Sequence, residues 1–268
     1  MSKRLRGQTA LVTGASAGIG LALAREFASE GAGLVLVSRD LAKLNREAEN
    51  LKTRYGVSVR VFATDLILPG ACEKLFRDVE DARLTVDILV NNAGFGHYGE
   101  FAEHPTRTIT DMLALNIGAL VTLTRLFLPG MRERRKGGIL NVASIAGFQA
   151  LPYLSLYAAS KAFVIDFSEA LWVENLEYGL RVFCLCPGNT RTAFHQIAGI
   201  EKRKAFFNAE ASDVARFAVR KFLRGRRPVG IFGFWNKLMI HAERLAPRVI
   251  VLFFTDLLYR PRETKKVA

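Results

Sequence analysis

A tyrosine stands four residues before a lysine in LYAASKAF, residues 156–163, with no proline or glycine between them. At that spacing on a helix, the side chains of Tyr157 and Lys161 share one face. A phenol keeps its proton to about pH 10, which makes it a poor acid–base catalyst near neutrality. A cation held beside it favours the phenolate and brings the proton within useful range of a reacting oxygen. The pair is open to two readings: a proton-transfer couple, or two side chains that merely fall one turn apart. The elements that carry the pair decide between them.

Apolar, β-branched runs at 9–14 (TALVTG), 33–38 (GLVLVS), 57–63 (VSVRVFA), 86–92 (VDILVNN), 137–144 (GGILNVAS) and 180–187 (LRVFCLCP) read as strands, with a seventh in RPVGIFG. Their aliphatic content suits a sheet buried on both faces. Segments of helical spacing separate them, among them GIGLALAREFASEG and LAKLNREAENLKTRYG. Repeated β-α-β units with right-handed crossovers predict an α/β fold with a doubly wound parallel sheet of about seven strands. Residues 1–232 form this domain, and 233–268 a C-terminal helical extension. Ligands on such sheets bind beyond the carboxyl ends of the strands, so the residues there carry the chemistry.

A chain of 268 residues, half of them hydrophobic, is long enough for one large core. The basic N-terminus (Lys3, Arg4, Arg6) runs straight into a strand without a signal-peptide core, and the longest unbroken apolar run, Val249 to Phe254, falls short of a spanning helix. A cytoplasmic protein, with membrane association left open, is the expectation. Cys72, Cys184 and Cys186 lack metal-ligand spacing and read as packing residues in a reducing compartment, with no metal expected. The net charge of +13 is concentrated: residues 199–268 hold 16 Lys and Arg against 6 Asp and Glu. That asymmetry suits either a solvated basic surface or an anionic partner such as a phosphate or lipid headgroup. No nucleic-acid motif accompanies it, and nucleic acid is not expected as a partner.

The first strand runs into TGASAGIG, where Gly14, Gly18 and Gly20 permit a tight turn and the approach of a pyrophosphate to the next helix. NNAG (91–94) ends the fourth strand and LNIGA supplies Asn116. Ser144 closes the fifth strand 13 residues before Tyr157, and PGNTRT follows the sixth. In this order the motifs resemble those of the short-chain dehydrogenase/reductases, over roughly residues 7 to 230.

The resemblance implies a Rossmann-like fold and an oxidoreductase that interconverts a carbonyl and an alcohol. Tyr157 would be the general acid or base, Lys161 would lower its pKa and hold the nicotinamide ribose, Ser144 would bind the substrate oxygen, and Asn116 would help hold a water relay. Cofactor contacts carried over from the family fall at Thr13, Gly14, Ser16, Gly18, Ile19, Gly20, Asp65, Asn91, Ala93, Gly94, Tyr157, Lys161, Pro187, Gly188, Thr190 and Thr192. At the end of the second strand stand Ser38 and Arg39, where an acid would favour NAD. A guanidinium there pairs well with a phosphate, so NADP is the expected cofactor, with NAD as an alternative. Asp40 reads as the N-cap of the next helix. The rival reading is a nucleotide-binding regulator or scaffold without turnover, and a homo-oligomer is the family's usual assembly.

Phe95, Phe148, Phe194, Phe206 and Phe207 fall near the expected mouth and suit a small-molecule substrate of bulky, lipophilic character. Tyr153 is placed on the Tyr157 face one turn earlier, as pocket lining or packing, and His97 follows NNAGFG, open to a solvated loop position or a substrate contact. The tail holds two helices separated at Pro247. Trp235, Leu238, Met239 and Leu245 lie near one face of the first, and Arg244, Arg248, Arg260, Arg262, Lys265 and Lys266 flank the apolar stretches. Three readings stay open for it: a lid, a contact between subunits, or a peripheral membrane contact.

Overall fold

A computed structural model describes residues 3–192, 198–199, 208–243 and 246–260. Seven strands form one parallel sheet: β1 (Thr9–Thr13), β2 (Gly33–Ser38), β3 (Val59–Ala63), β4 (Ile88–Asn91), β5 (Gly138–Val142), β6 (Arg181–Cys186) and β7 (Val229–Ile231). Each lies inside its expected run, trimmed by one to two residues at most ends. The trimmed positions continue into loops beyond the last ladder pair. The spatial order is β3-β2-β1-β4-β5-β6-β7, so the chain reverses direction between β1 and β4. Ala10 pairs with Ile88 and Val12 with Val90 across that reversal. The carboxyl ends of these two strands splay their following loops apart, leaving the crevice in which such sheets bind ligands.

One face of the sheet packs α1 (Gly18–Ser29), α2 (Leu41–Tyr55) and α7 (Ala211–Arg224), with Phe27 and Phe222 meeting edge to face at 6.0 Å between α1 and α7. The other face packs α3 (Ala71–Asp81), α5 (Leu120–Arg134) and α6 (Ser155–Glu174) through Leu75, Leu123, Phe127, Met131 and Leu171. Leu11, Val12, Leu36, Leu89 and Ile139 are wholly buried, which is why the central strands read as unbroken apolar runs rather than as alternation. Asp40 caps α2 by accepting from the Lys43 amide at 3.0 Å.

Before α5 the chain runs through α4 (Thr106–Leu113) and a π-helical segment, Ala114–Ala119. The continuous stretch Thr106–Arg134 is long and apolar enough, by length and composition, to cross a bilayer. Here it lies along the sheet, burying Met112, Asn116, Leu123, Phe127 and Met131. Two further helices, α8 (Phe234–Glu243) and α9 (Arg248–Tyr259), follow β7.

Candidate active site

The glycine turn is bolted to the end of β4 by one hydroxyl. Thr13 Oγ1 accepts from the Asn92 and Ala93 amides, each at 3.0 Å, and donates to the Val90 carbonyl at 3.3 Å. Asn92 Nδ2 closes the same joint by donating to the Thr13 carbonyl at 2.9 Å. Gly14 needs its φ of 65°, and a Cβ there would lie 2.8 Å from Asn92 Nδ2. A Cβ on Gly20 would run into the Gly14 carbonyl and the same amide, so α1 can start this close to β1 only with glycine there. No side chain caps the amino end of α1, which opens at Gly18 after Ala17, leaving its first-turn amides to an anion, with Ser16 and Ile19 flanking.

The side chain of Asn91, one of the expected cofactor contacts, faces inward. Its Nδ2 donates to Thr124 Oγ1 at 3.1 Å and to Asn141 Oδ1 at 3.0 Å, and Asn141 donates in turn to Ser168 at 2.9 Å. Strand alternation sends Asn91 into the layer under α5 and α6, so it ties β4 to β5, and Asn92 makes the contact with the glycine turn. Asn92 stands in the same NNAG motif, but only the register of the strand end distinguishes the two amides.

The four residues expected to be catalytic converge at the end of β5. Asn116 is buried in the π-helical segment, a distortion that recurs at functional sites. Its Nδ2 donates to the Phe95 carbonyl at 2.9 Å and to Ser160 Oγ at 3.1 Å, and its Oδ1 accepts from the Phe95 amide at 3.0 Å. Ser160, which sequence reasoning passes over, donates onward to the Tyr157 carbonyl at 2.7 Å. Ser144 Oγ accepts from the Ala146 amide at 3.1 Å, which leaves its proton for the Tyr157 phenol oxygen to which it is hydrogen-bonded. Lys161 Nζ donates to the Val142 carbonyl at 2.9 Å and lies 5.8 Å from the centre of the Tyr157 ring.

The electrostatics of the pair differ from expectation. Tyr157 is 8% exposed and burial pushes its phenol up to about 12, with the Ser144 hydrogen bond opposing and Tyr259 and Cys186 adding to the rise. Burial likewise lowers Lys161 to about 8. The two groups share a face as the spacing predicts, but desolvation is the largest influence on each, and the ammonium points at a backbone carbonyl. Tyr153 does not share the Tyr157 helical face. The helix begins at Ser155, so Tyr153 precedes it, with a left-handed φ of 64° and its carbonyl accepting from Gly99 N at 2.9 Å.

At the end of β2, Ser38 Oγ is buried without a hydrogen-bond partner, while Arg39 is exposed with Nη1 4.0 Å from Asp65 Oδ2. Asp65 also accepts from the Ile67 amide at 3.2 Å. Beyond β6, the Pro187 carbonyl accepts from Ile145 N at 3.0 Å, and Thr190 donates to the Gly188 carbonyl at 3.0 Å. Thr192 approaches the glycine turn: a Cβ on Gly18 would lie 3.3 Å from its methyl. Gly188 is covered by Asn236 of α8. Ala93 and Gly94 line the β4 exit, with Asn116 Oδ1 2.9 Å from where a Gly94 Cβ would stand.

An apolar cluster of Met112, Ala146, Leu151, Leu154, Ala158 and Tyr157 forms beside this site, with Phe95, Tyr98 and Tyr259 packed on it. Phe148 packs instead against Val164 and Ile165, while Phe194, Phe206 and Phe207 lie outside the described residues. The Tyr98 hydroxyl donates to the Tyr259 carbonyl, and Arg260 hydrogen-bonds to Tyr153. The far end of α9 therefore rests on the mouth, a contact between residues 161 positions apart that no local pattern announces. His97 stacks edge to face on His104 at 4.6 Å.

A doubly wound sheet with a glycine turn at the β1–β4 reversal and a Ser–Tyr–Lys group beyond β5 defines a dinucleotide-dependent oxidoreductase of the short-chain type. A family model of short chain dehydrogenases matches residues 8–202, and the chain belongs to that family, whose members act on CH–OH and keto groups. It is 35% identical over 214 residues to a ketoacyl reductase, HetN, of Nostoc sp., covering 76% of this chain and 74% of that one. It is 40% identical over 185 residues to the very-long-chain 3-oxoacyl-CoA reductase of Mus musculus, covering 68% of this chain and 59% of the mouse enzyme. The match thus spans less than two thirds of that relative's length. A short-chain dehydrogenase from Sphingobium yanoikuyae solved with NADPH superposes with a TM-score of 0.80 at 32% identity, covering 96% of this chain and 98% of that one.

Proposed function

We propose that the protein reduces a carbonyl on a lipophilic, 3-oxoacyl-like substrate, or runs the reverse oxidation, using NADP(H) and with Tyr157 exchanging the proton. The observation that carries this is the Ser144–Tyr157 hydrogen bond opening onto the apolar cluster of Phe95, Met112, Leu154 and Tyr259. Similarity to ketoacyl reductases supports the substrate class. The residues fit a dinucleotide phosphate: first-turn amides of α1 stand open to a pyrophosphate, the buried Ser38 hydroxyl lacks a partner, and Arg39 is free to turn toward a 2′-phosphate. The NADPH bound by the Sphingobium relative agrees with that choice.

When bound, the cofactor supplies or accepts the hydride at the substrate carbon. The chain's own residues manage the oxygen. Ser144 re-aims its proton from the phenol to the carbonyl oxygen, and Tyr157 gives up its proton as charge builds there. A phenol held near 12 still donates readily to an alkoxide, and its burial keeps it fully protonated at neutral pH. Lys161, lowered to about 8, would hold the cofactor ribose beside the phenol. Asn116 locks Phe95 and Ser160 around the site and is assigned the water relay. Pairing into a homo-oligomer through α5 and α6 would cover Phe163, Val173 and Leu176, which are exposed on or just beyond α6.

NADPH oxidation measured with a panel of 3-oxoacyl thioesters and other carbonyls tests this reading. Tyr157→Phe is expected to lose about 10²–10⁴-fold in turnover with cofactor affinity nearly unchanged. A Phe variant that keeps more than about a tenth of the rate refutes the assignment of the acid.

A further inference from the structure

We infer that α9 is an interfacial membrane element, laid in the surface of an anionic bilayer and seating the catalytic mouth against lipid. Of seventeen large apolar side chains exposed among the described residues, ten fall between Phe234 and Leu258. On α9 they form a row at helical spacing: Val249, Ile250, Phe253, Phe254 and Leu257, each more than 60% exposed. The inner face of the same helix is engaged, with Thr255 buried and Tyr259 packed on the Tyr157 cluster, so the row is held outward rather than awaiting a partner inside the fold. Phe234, Leu238 and Met239 form a second exposed row on α8. Ile240 is buried behind it.

The length fits the surface of a bilayer and not its span. Twelve residues rise about 18 Å, against roughly 30 Å of hydrocarbon. A helix with a broad apolar face and cations at its ends lies in the interface, where acyl burial and headgroup attraction act together. Here Arg248 opens the helix and Arg260 follows it, with Asp256 the only acid between them and already paired to Arg260. The sequence from Phe234 to Ala268 holds seven Lys and Arg against three Asp and Glu.

A second copy of the chain is the other candidate to cover this row, and charge argues against it. A two-fold contact that laid one α9 antiparallel on another would bring two chains of net charge +13 together, with Arg248 meeting only an Arg260 whose nearby acid, Asp256, is already engaged. Anionic headgroups meet the same cations favourably. Because the carboxyl end of α9 rests on the mouth through Tyr98 and Tyr153, docking would open the site toward the bilayer, where an apolar chain could enter directly. That consequence rests on the proposed lipophilic substrate; the docking does not.

Flotation of the full chain with vesicles of phosphatidylcholine, with and without added phosphatidylserine, tests the inference in parallel with NADPH oxidation on a short, water-soluble ketone. The Tyr157→Phe variant serves as a binding control independent of catalysis. The expected result is salt-sensitive binding to the phosphatidylserine vesicles by both wild type and Tyr157→Phe. The double variant F253E/L257E, which alters only side chains 72% and 77% exposed, should lose at least about tenfold in vesicle affinity and keep its rate on the soluble ketone. Failure of the wild type to bind anionic vesicles at low salt overturns the inference, as does equal binding by F253E/L257E. An oligomer that the double variant dissociates, in a chain that ignores vesicles, assigns the row to a second copy instead.

Discussion

Thr13→Val removes one hydroxyl and keeps the side-chain shape, and it isolates the joint that positions the cofactor turn. Thr13 is 2% exposed, and its Oγ1 is the acceptor for two amides at 3.0 Å, those of Asn92 and Ala93. The valine leaves both N–H groups facing a methyl. An unsatisfied donor costs about 1–3 kcal/mol, and since both amides sit in a partly buried loop, the lower half of that range applies to each. The expected loss is therefore about 2–4 kcal/mol, which for a chain of this size lowers Tm by about 4–7 °C. Equilibrium unfolding in urea, followed by circular dichroism at neutral pH, gives the number. Thr13→Ser is the control: it keeps the acceptor and loses only a methyl, for about 1 kcal/mol. With the joint loosened, the β4 exit no longer holds Gly14 in register, so Thr13→Val should also weaken dinucleotide binding more than Thr13→Ser does. If the two variants unfold within about 0.5 kcal/mol of each other, the hydroxyl is not the joint and the reasoning fails.

Lys161→Met should give a pH-dependent gain in stability. Lys161 titrates near 8 in the folded protein and near 10.5 when unfolded, so between those values the unfolded chain holds a proton that the folded chain has lost. Wild-type stability from this group accordingly rises with pH across that window, and the burden of burying the ammonium, about 3 kcal/mol, is fully present below pH 8. The methionine variant escapes it, offset by about 1 kcal/mol for the lost bond to Val142, so its advantage should be largest at neutral pH and shrink toward pH 10.5. A gap that widens with pH contradicts the sign. Ser38→Asp combined with Arg39→Ser should invert the preference for NADPH over NADH in steady-state titrations of both cofactors, since the acid accepts ribose hydroxyls and repels a 2′-phosphate. An unchanged ratio would mean that some other residue reads the phosphate.

Much of the fold is local information. The seven strands, the helices between them and the cap at Asp40 follow from runs of apolar residues, turn glycines and one well-placed acid, each readable over a few positions. The chemistry-bearing residues are legible for the same reason: Ser144, Tyr157 and Lys161 stand at one strand end and on one helical face, and the parallel sheet must bring such ends together. What could not be read locally depends on partners distant in sequence. The two amides of NNAG differ only in which face the end of β4 presents, so Asn91 goes to Thr124 and Asn141 while Asn92 goes to the glycine turn. Tyr153 lies a helical turn before Tyr157 in sequence but outside the helix in space.

The sheet, the order of its motifs and the residues proposed for proton transfer are legible in the chain, because they depend on spacing along it. The tertiary structure alone decided their energetics and their surroundings. Spacing predicts that Lys161 assists Tyr157, but burial of both groups sets their proton affinities, and burial is a sum over everything packed around them. Likewise the apolar tail is visible in the sequence, but which of its faces is engaged is not. Packing buried Thr255, set Tyr259 on the cluster around Tyr157 and left Phe253 and Leu257 outside, since a helix apolar around most of its circumference acquires an inner and an outer face only from what it lies against.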